Sequence, residues 1–217
     1  MLTIDGFVYA MGSNMNGCLA LPSSSLNYSY SPMLIERLKD VNKICSGYNH
    51  MMALSEGSLY SWGKGIDGQL GNGKQMNSFE PTFVSSLGND VEDVSCGSNH
   101  TLVKMVNGKC YSFGNGIYGQ LGVGSNKNSS QPVKVNIDSK VDEIAAGENY
   151  SLYLSNGFVF GAGDNSSGQI DPSINKKFIL DPAKISHLSN VAIIRAGKFS
   201  ACLTHSGEII IWGIPCQ

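Results

Sequence analysis

Residues 91–122 read VEDVSCGSNHTLVKMVNGKCYSFGNGIYGQLG, and residues 41–71 read VNKICSGYNHMMALSEGSLYSWGKGIDGQLG. The two stretches are the same sentence written twice. Working outward, Trp62-Gly63, Phe113-Gly114, Ala162-Gly163 and Trp212-Gly213 recur with glycine steps of 51, 49 and 50, and Met11-Gly12 lies 51 residues before Gly63. Gly47, Gly97, Gly147 and Gly197 keep a step of 50, as do Val41, Val91, Val141 and Val191. Ile44, Val94, Ile144 and Ile194 follow suit, and Pro32, Pro81, Pro132 and Pro182 step by 49, 51 and 50. A fixed period of this length is the mark of a repeat architecture, in which each unit buries its apolar faces by stacking on its neighbours.

Within a unit, alternating segments flank Asn107-Gly108 and Asn156-Gly157, with Asp5-Gly6, Glu56-Gly57 and Ser206-Gly207 at the equivalent places. Such pairs suit the tight turns of β-hairpins, because glycine adopts positive φ freely. His100 to Gly108 takes eight steps where His50 to Gly57 takes seven, which predicts a bulge near Met105-Val106. Each unit then offers four short strands, for example Thr82–Ser86, Val91–Cys96, His100–Val106 and Lys109–Phe113, with Pro81 just ahead of the first. A helix over Leu34–Leu38 is rejected, since its sister Phe83–Leu87 has weak helix propensity. Four strands per ~50 residues predict an all-β propeller of four-stranded blades. The chain forms one domain over residues 1–217, with units at 1–12 (partial), 13–63, 64–114, 115–163 and 164–213.

Composition narrows the function. Of 217 residues 26 are glycine, 41% are hydrophobic and 15% charged, and 15 basic against 17 acidic side chains leave a formal charge of −2. Apolar residues are too plentiful for a disordered chain. No apolar run reaches the ~18 residues of a spanning helix, so no membrane partner is expected. The balanced charge speaks against nucleic acid or chromatin as the partner. Residues 1–6 lack a basic region followed by an apolar core, so no secretory signal is expected and the cytoplasm or nucleus is the expected location. The six cysteines (18, 45, 96, 110, 202 and 216) are scattered without a C-x-x-C pair, and reduced structural thiols are the expectation.

Two strings imitate nucleotide motifs. Gly63-Lys64-Gly65-Ile66-Asp67-Gly68 fits the dinucleotide fingerprint, and Gly68 to Lys74 fits most of a phosphate-binding loop. The first string recurs at Gly114–Gly119, a turn-rich stretch follows in place of a helix, and Gln75 stands where the second motif needs Ser or Thr. Both are read as repeat turns, and no cofactor is expected. His50 and His100 share one repeat position with Tyr150 and Ser200, and a metal or catalytic set would not drift in that way. They are read as strand-end side chains bonded to a neighbouring blade, and His187 and His205 have no partner spacing. No catalytic residue and no metal ligand set is expected.

The strings Leu59-Tyr60-Ser61-Trp62-Gly63, Gly68-Gln69-Leu70-Gly71, Gly97-Ser98-Asn99-His100-Thr101 and Gly119-Gln120-Leu121-Gly122 resemble the repeat of the regulator of chromosome condensation (RCC1-type) family. Gly168-Gln169-Ile170-Asp171 and Gly17-Cys18-Leu19-Ala20 are degenerate copies. The resemblance implies a β-propeller, usually of seven blades, and a family whose members include a Ran exchange factor that docks on chromatin, ubiquitin-ligase domains and a plant light receptor. Four units and a hairpin fall short of seven, which implies a partial ring or one closed by self-association. The loops 63–81, 114–132 and 163–182 are uniform, with no insertion like the exchange factor's wedge. That factor carries acidic residues ahead of the repeat histidine, whereas the matching positions here are Asn49, Asn99, Asn149 and Phe199. The reading is therefore a protein-interaction module contacting its partner through Tyr48, Asn49, Ser98, Asn99, Glu148, Asn149, Lys198 and Phe199, on loops that precede equivalent strands. The alternative is nucleotide exchange on a small Ran-like GTPase, with chromatin association, by tighter binding of the nucleotide-free form.

Overall fold

A computed structural model describes residues 1–22 and 26–213; Cys216 and the segment 214–217 lie outside the described residues. Among the described residues seventeen strands form five antiparallel sheets. Strands β1 (Tyr9–Ser13) and β2 (Tyr28–Leu34) pair alone. Three four-stranded blades follow. The first holds β3 (Val41–Ser46), β4 (His50–Ser55), β5 (Ser58–Gly63) and β6 (Ser78–Phe83). The second holds β7 (Val91–Cys96), β8 (His100–Met105), β9 (Cys110–Gly114) and β10 (Ser129–Lys134). The third holds β11 (Glu143–Ala146), β12 (Tyr150–Ser155), β13 (Phe158–Asp164) and β14 (Phe178–Lys184). The last sheet has three strands, β15 (Val191–Ala196), β16 (Ser200–Thr204) and β17 (Ile209–Trp212). In each full blade the strands lie in chain order from inner to outer edge. The inner strands β3, β7, β11 and β15 neighbour one another around a common axis. This is the arrangement of propeller blades.

Four apolar clusters fill the four seams between successive sheets. Val41, Val91 and Val191, which open their inner strands, and Val141, two residues ahead of β11, are all buried. So are Ile35, Val84, Val135 and Ile185, three residues past each repeat proline. The N–H of each of these donates to a carbonyl of the hairpin strand before it: Val8, Leu59, Cys110 and Val159 O, at 2.9–3.0 Å. Leu19, Leu70, Leu121 and Ile170 of the glycine-rich turns are buried as well. The period that the sequence shows is therefore the period of the seams.

Several local expectations are refined. The proline-bearing strand is Ser78–Phe83, with Pro81 inside it, and it closes the preceding blade instead of opening the next. It is an outer edge strand, where a missing N–H breaks no ladder. The sequence units thus cut each blade between its third and fourth strands. Ser85 and Ser86, expected to end the strand Thr82–Ser86, instead open a 3-10 turn over Ser85–Leu87. Glu56-Gly57 and Asn156-Gly157 are two-residue turns with positive φ at both positions, the primed geometry that suits twisted hairpins. The extra residue of the second blade is taken up in a three-residue turn, closed by Met105 N–H to Lys109 O at 2.9 Å with Gly108 at φ +77°. After Gly63–Gly68 the chain runs through turns into β6, and no helix follows.

The cysteines depart from expectation. Cys45 and Cys96 are joined in a disulfide between β3 and β7, with Cα atoms 5.9 Å apart. Inner strands meet with an offset of one period plus one residue, which brings this pair to the same point of one seam. Cys18, Cys110 and Cys202 are free thiols.

Candidate loop-face binding site

Each blade turns between its first and second strands, and between its third and fourth, at the same end. Lys64 ties the two loop sets together: its N–H donates to Asn49 O at 2.7 Å, and its Nζ lies 3.4 Å from Asn99 Oδ1 and 3.2 Å from Asp67 Oδ2. The opposite end carries the hairpin turns. The molecule therefore has a loop face and a hairpin face.

Around the axis on the loop face, backbone bonds run from blade to blade: Tyr48 N–H to Ser98 O (3.0 Å), Ser98 N–H to Glu148 O (3.1 Å) and Glu148 N–H to Gly197 O (3.1 Å). Beneath this rim His50 Nε2 lies 3.1 Å from Thr101 Oγ1, and His100 Nε2 lies 2.9 Å from Ser151 Oγ. The Tyr150 hydroxyl lies 2.8 Å from Ser200 Oγ. Thr101 and Ser151 each donate their own proton to a carbonyl, Gln69 O at 3.0 Å and Gln120 O at 2.7 Å. The histidines must therefore donate, which fixes the neutral tautomer with the proton on Nε2. Burial lowers the His50 pKa to about 3, with His100 and Lys64 adding to the effect, and lowers that of His100 to about 4. These side chains are blade-to-blade clasps, as the sequence predicts for His50 and His100.

The clasp explains the repeat glycine. A Cβ on Gly97 would collide with the His100 ring and sit 2.6 Å from Gly147 O. Gly47 and Gly147 are confined in the same way by His50 and Tyr150.

The last unit corrects the sequence alignment. Ser200 bonds Gln169 O and Tyr150, as Thr101 and Ser151 bond their counterparts, so Ser200 is not the equivalent of His50. Gly197 N–H donates to Phe199 O, where Gly97 N–H donates to His100 O and Gly147 N–H to Tyr150 O. Phe199 therefore holds the histidine position, and Lys198 stands where Asn149 stands in the blade before. The loop is one residue short. A three-residue turn after Thr204, closed by Thr204 N–H to Glu208 O at 2.9 Å, restores the period before Trp212.

Of the eight site residues named from sequence, Tyr48, Ser98, Glu148 and Lys198 line one open cavity at the axis, with Gly47, Cys96 and Gly147 among its walls. Asn49, Asn99, Asn149 and Phe199 do not line it. The three asparagines are half-buried, and their carbonyls accept from Lys64, Asn115 and Asp164 N–H at 2.7, 2.8 and 2.9 Å. Tyr48 is 79% exposed and Phe199 49%. Sequence reasoning missed a second set on this face. Met15, Ile66 and Ile117 hold one repeat position, ahead of the glycine-rich turn, and are 78, 57 and 50% exposed. The signal was an apolar residue inside Gly63–Gly68 and Gly114–Gly119, the strings that imitate a nucleotide fingerprint.

Comparison with known proteins agrees with this geometry. The human E3 ubiquitin-protein ligase HERC2 is 33% identical over 226 residues, covering 98% of this chain and 5% of that protein. Human WBSCR16 superposes with a TM-score of 0.85 at 24% identity, over 94% of this chain and 56% of that one. Prp20p of Saccharomyces cerevisiae, solved in work on its binding to Gsp1p and histones, superposes at 0.80 with 22% identity, over 90% and 51%. The chain thus spans about half the length of these solved propellers and a twentieth of the ligase. The regulator of chromosome condensation (RCC1) repeat model matches residues 5–54, 56–103 and 107–154, and with its repeat spacing and blade geometry the chain belongs to the RCC1 repeat family.

Proposed function

We propose that this chain is a protein-binding propeller module whose partner docks on the loop face, across Tyr48, Ser98, Glu148 and Lys198 and the outer arc of Met15, Ile66 and Ile117. The observation that carries the reading is the coincidence on one face of a varied rim and exposed apolar side chains at a repeated position. The side chains that repeat from blade to blade are engaged in clasps, which leaves the varied tips free to contact a partner. Exposed aromatic and large aliphatic residues are the anchors that protein interfaces favour.

Nucleotide exchange on a small GTPase has less support. Asn49, Asn99 and Asn149 offer no negative charge, and Asn99 Oδ1 is already within reach of Lys64 Nζ. Two surface variants separate the faces. Tyr48→Ala with Ile66→Ser is expected to abolish capture of the proteins the parent chain retains. Glu56→Lys with Asn156→Lys, on the hairpin face, is expected to leave capture intact. The opposite pattern overturns the assignment. Release of a fluorescent nucleotide from a loaded Ran-type GTPase, accelerated by the parent chain, would establish the alternative.

A further inference from the structure

Along the two seams between full blades, and along the seam between the third blade and the three-stranded sheet, an inner-strand residue faces the residue 51 positions on. Three seams repeat the geometry with different chemistry. Ala145 and Ala196 belong to one apolar cluster at the third. At the second, Ala146 N–H donates to Ser95 Oγ at 3.0 Å. At the first the pair is Cys45 and Cys96, bonded to each other. A covalent link thus stands where the neighbouring seams hold a hydrogen bond or apolar packing.

The pair is also reachable. Both cysteines are half-buried, and Cys96 is in the wall of the axial cavity, beside Gly97 and Ser98. Cys110 and Cys202 are buried in the seams. The Cys110 thiol is pushed up to about 12, chiefly by burial, and those of Cys18 and Cys202 are raised by burial too. Thiolates are the exchanging species, so a soluble thiol–disulfide couple would select this pair from the free thiols around it.

We propose that Cys45 and Cys96 form a reversible thiol–disulfide clasp across the first full seam, opened and closed by a small-molecule disulfide couple of the glutathione type that enters through the axial cavity. In the closing direction, the Cys96 thiolate attacks one sulfur of the oxidised couple. The small S–S bond breaks, one small thiolate leaves with the electron pair, and a mixed disulfide stands on Cys96. The Cys45 thiolate then attacks Cys96 Sγ and releases the second small thiolate. Two protein thiols have lost two protons and two electrons, and the couple has gained them as two thiols. The bond ties the ends of β3 and β7 directly below the Tyr48 and Ser98 loops, so its state sets how firmly those tips are held. The proposal does not depend on any partner.

The test uses the whole chain. After incubation with oxidised glutathione and alkylation, trypsin should release residues 44–64 and 75–104 as one cross-linked species. Excess reduced glutathione, with the chain still folded by circular dichroism, should return them as two alkylated peptides. Cys45→Ser should trap one glutathione on Cys96, while Cys96→Ser leaves Cys45 unmodified. The oxidised parent should melt about 10 °C above the reduced one, because the bond closes a loop of 51 residues. The Cys45→Ala/Cys96→Ala chain recreates the Ala145/Ala196 seam, so it should fold and melt at one temperature in both buffers. Alkylation of both cysteines under oxidising conditions overturns the proposal. So does a cross-link that survives reduced glutathione in the folded chain, or a redox-dependent melt that persists in the double alanine chain.

Discussion

Lowering the pH from 7.5 to 5 is expected to remove about 4 kcal/mol of stability through His50 and His100 alone. Both rings are fully buried, and both donate Nε2–H to a neighbouring blade's hydroxyl. Their Nδ1 atoms have no hydrogen-bond partner among the described residues, and the Tyr150 backbone near His100 only partly offsets the cost of charging a buried ring. Burial dominates, and it holds the native values near 3 and 4. In the unfolded chain each imidazole titrates near 6.5. Between those limits the unfolded state binds two protons that the native state refuses, so stability falls as the pH falls. At pH 5, about 1.5 units below the unfolded value, the loss is about 2 kcal/mol per ring. Urea unfolding followed by circular dichroism at pH 7.5, 6.5, 5.5 and 5 measures it. The control is His50→Gln/His100→Gln, which keeps an N–H donor toward Thr101 and Ser151 but cannot titrate. The parent should lose about 4 kcal/mol more than the control between the two end points. Parallel curves for the two chains would refute the buried, neutral clasp.

Other outcomes follow from single contacts. Gly97→Ala is expected to cost more than about 2 kcal/mol, because the new methyl group meets the His100 ring and Gly147 O. Gly197→Ala, at the same repeat position, has only Phe199 O at 4.0 Å and should stay within about 0.5 kcal/mol of the parent by urea titration. Lys104, almost fully buried, donates to Asp142 O at 2.7 Å and pairs with Glu92 at 3.0 Å, so Lys104→Met should destabilise by about 2 kcal/mol. Arg195 pairs with Glu143 at 2.7 Å but is mostly exposed, and Arg195→Ala should cost under about 1 kcal/mol. Native Cys110 should resist alkylation at pH 8 and react only on unfolding, with peptide mass as the readout.

Much of the fold is written in the sequence because seam residues recur at one spacing. Val91, Val141 and Val191 bury the same wall of successive blades, and Asn156-Gly157 can hardly be anything but a primed turn. What a linear reading does not give is which strands share a sheet. Pro81 punctuates the sequence as if a unit began there, but the free edge that tolerates it belongs to the blade before. The Cys45–Cys96 pair is hidden for a related reason. Its separation of 51 is one period plus one residue, and it becomes a contact only when inner strands face each other with that offset. The site was half legible. The tips Tyr48, Ser98, Glu148 and Lys198 share a cavity, but the asparagines beside them serve the backbone of the following turn.

The final unit shows why spacing alone misplaced Phe199. Gly197 and Trp212-Gly213 both keep the period, so nothing between them looks altered. Yet the loop has lost one residue and the hairpin has gained one, and two opposite changes within ten residues cancel in the count. Hydrogen bonds do not cancel: Ser200 bonds like Thr101, and Phe199 inherits a position where His50, His100 and Tyr150 each reach for a hydroxyl on the next blade. Phenylalanine has no polar atom to reach with. The same sheet holds the companion fact. Ile209 takes the place of Leu59, which is fully buried, and is 71% exposed. Two aliphatic side chains at one repeat position thus meet opposite environments, because Leu59 has a blade packed in front of it. Burial at a seam is a property of the stacked neighbour and not of the strand itself, which is why blades are stable in company and why the repeat positions, rather than any one strand, carry the fold.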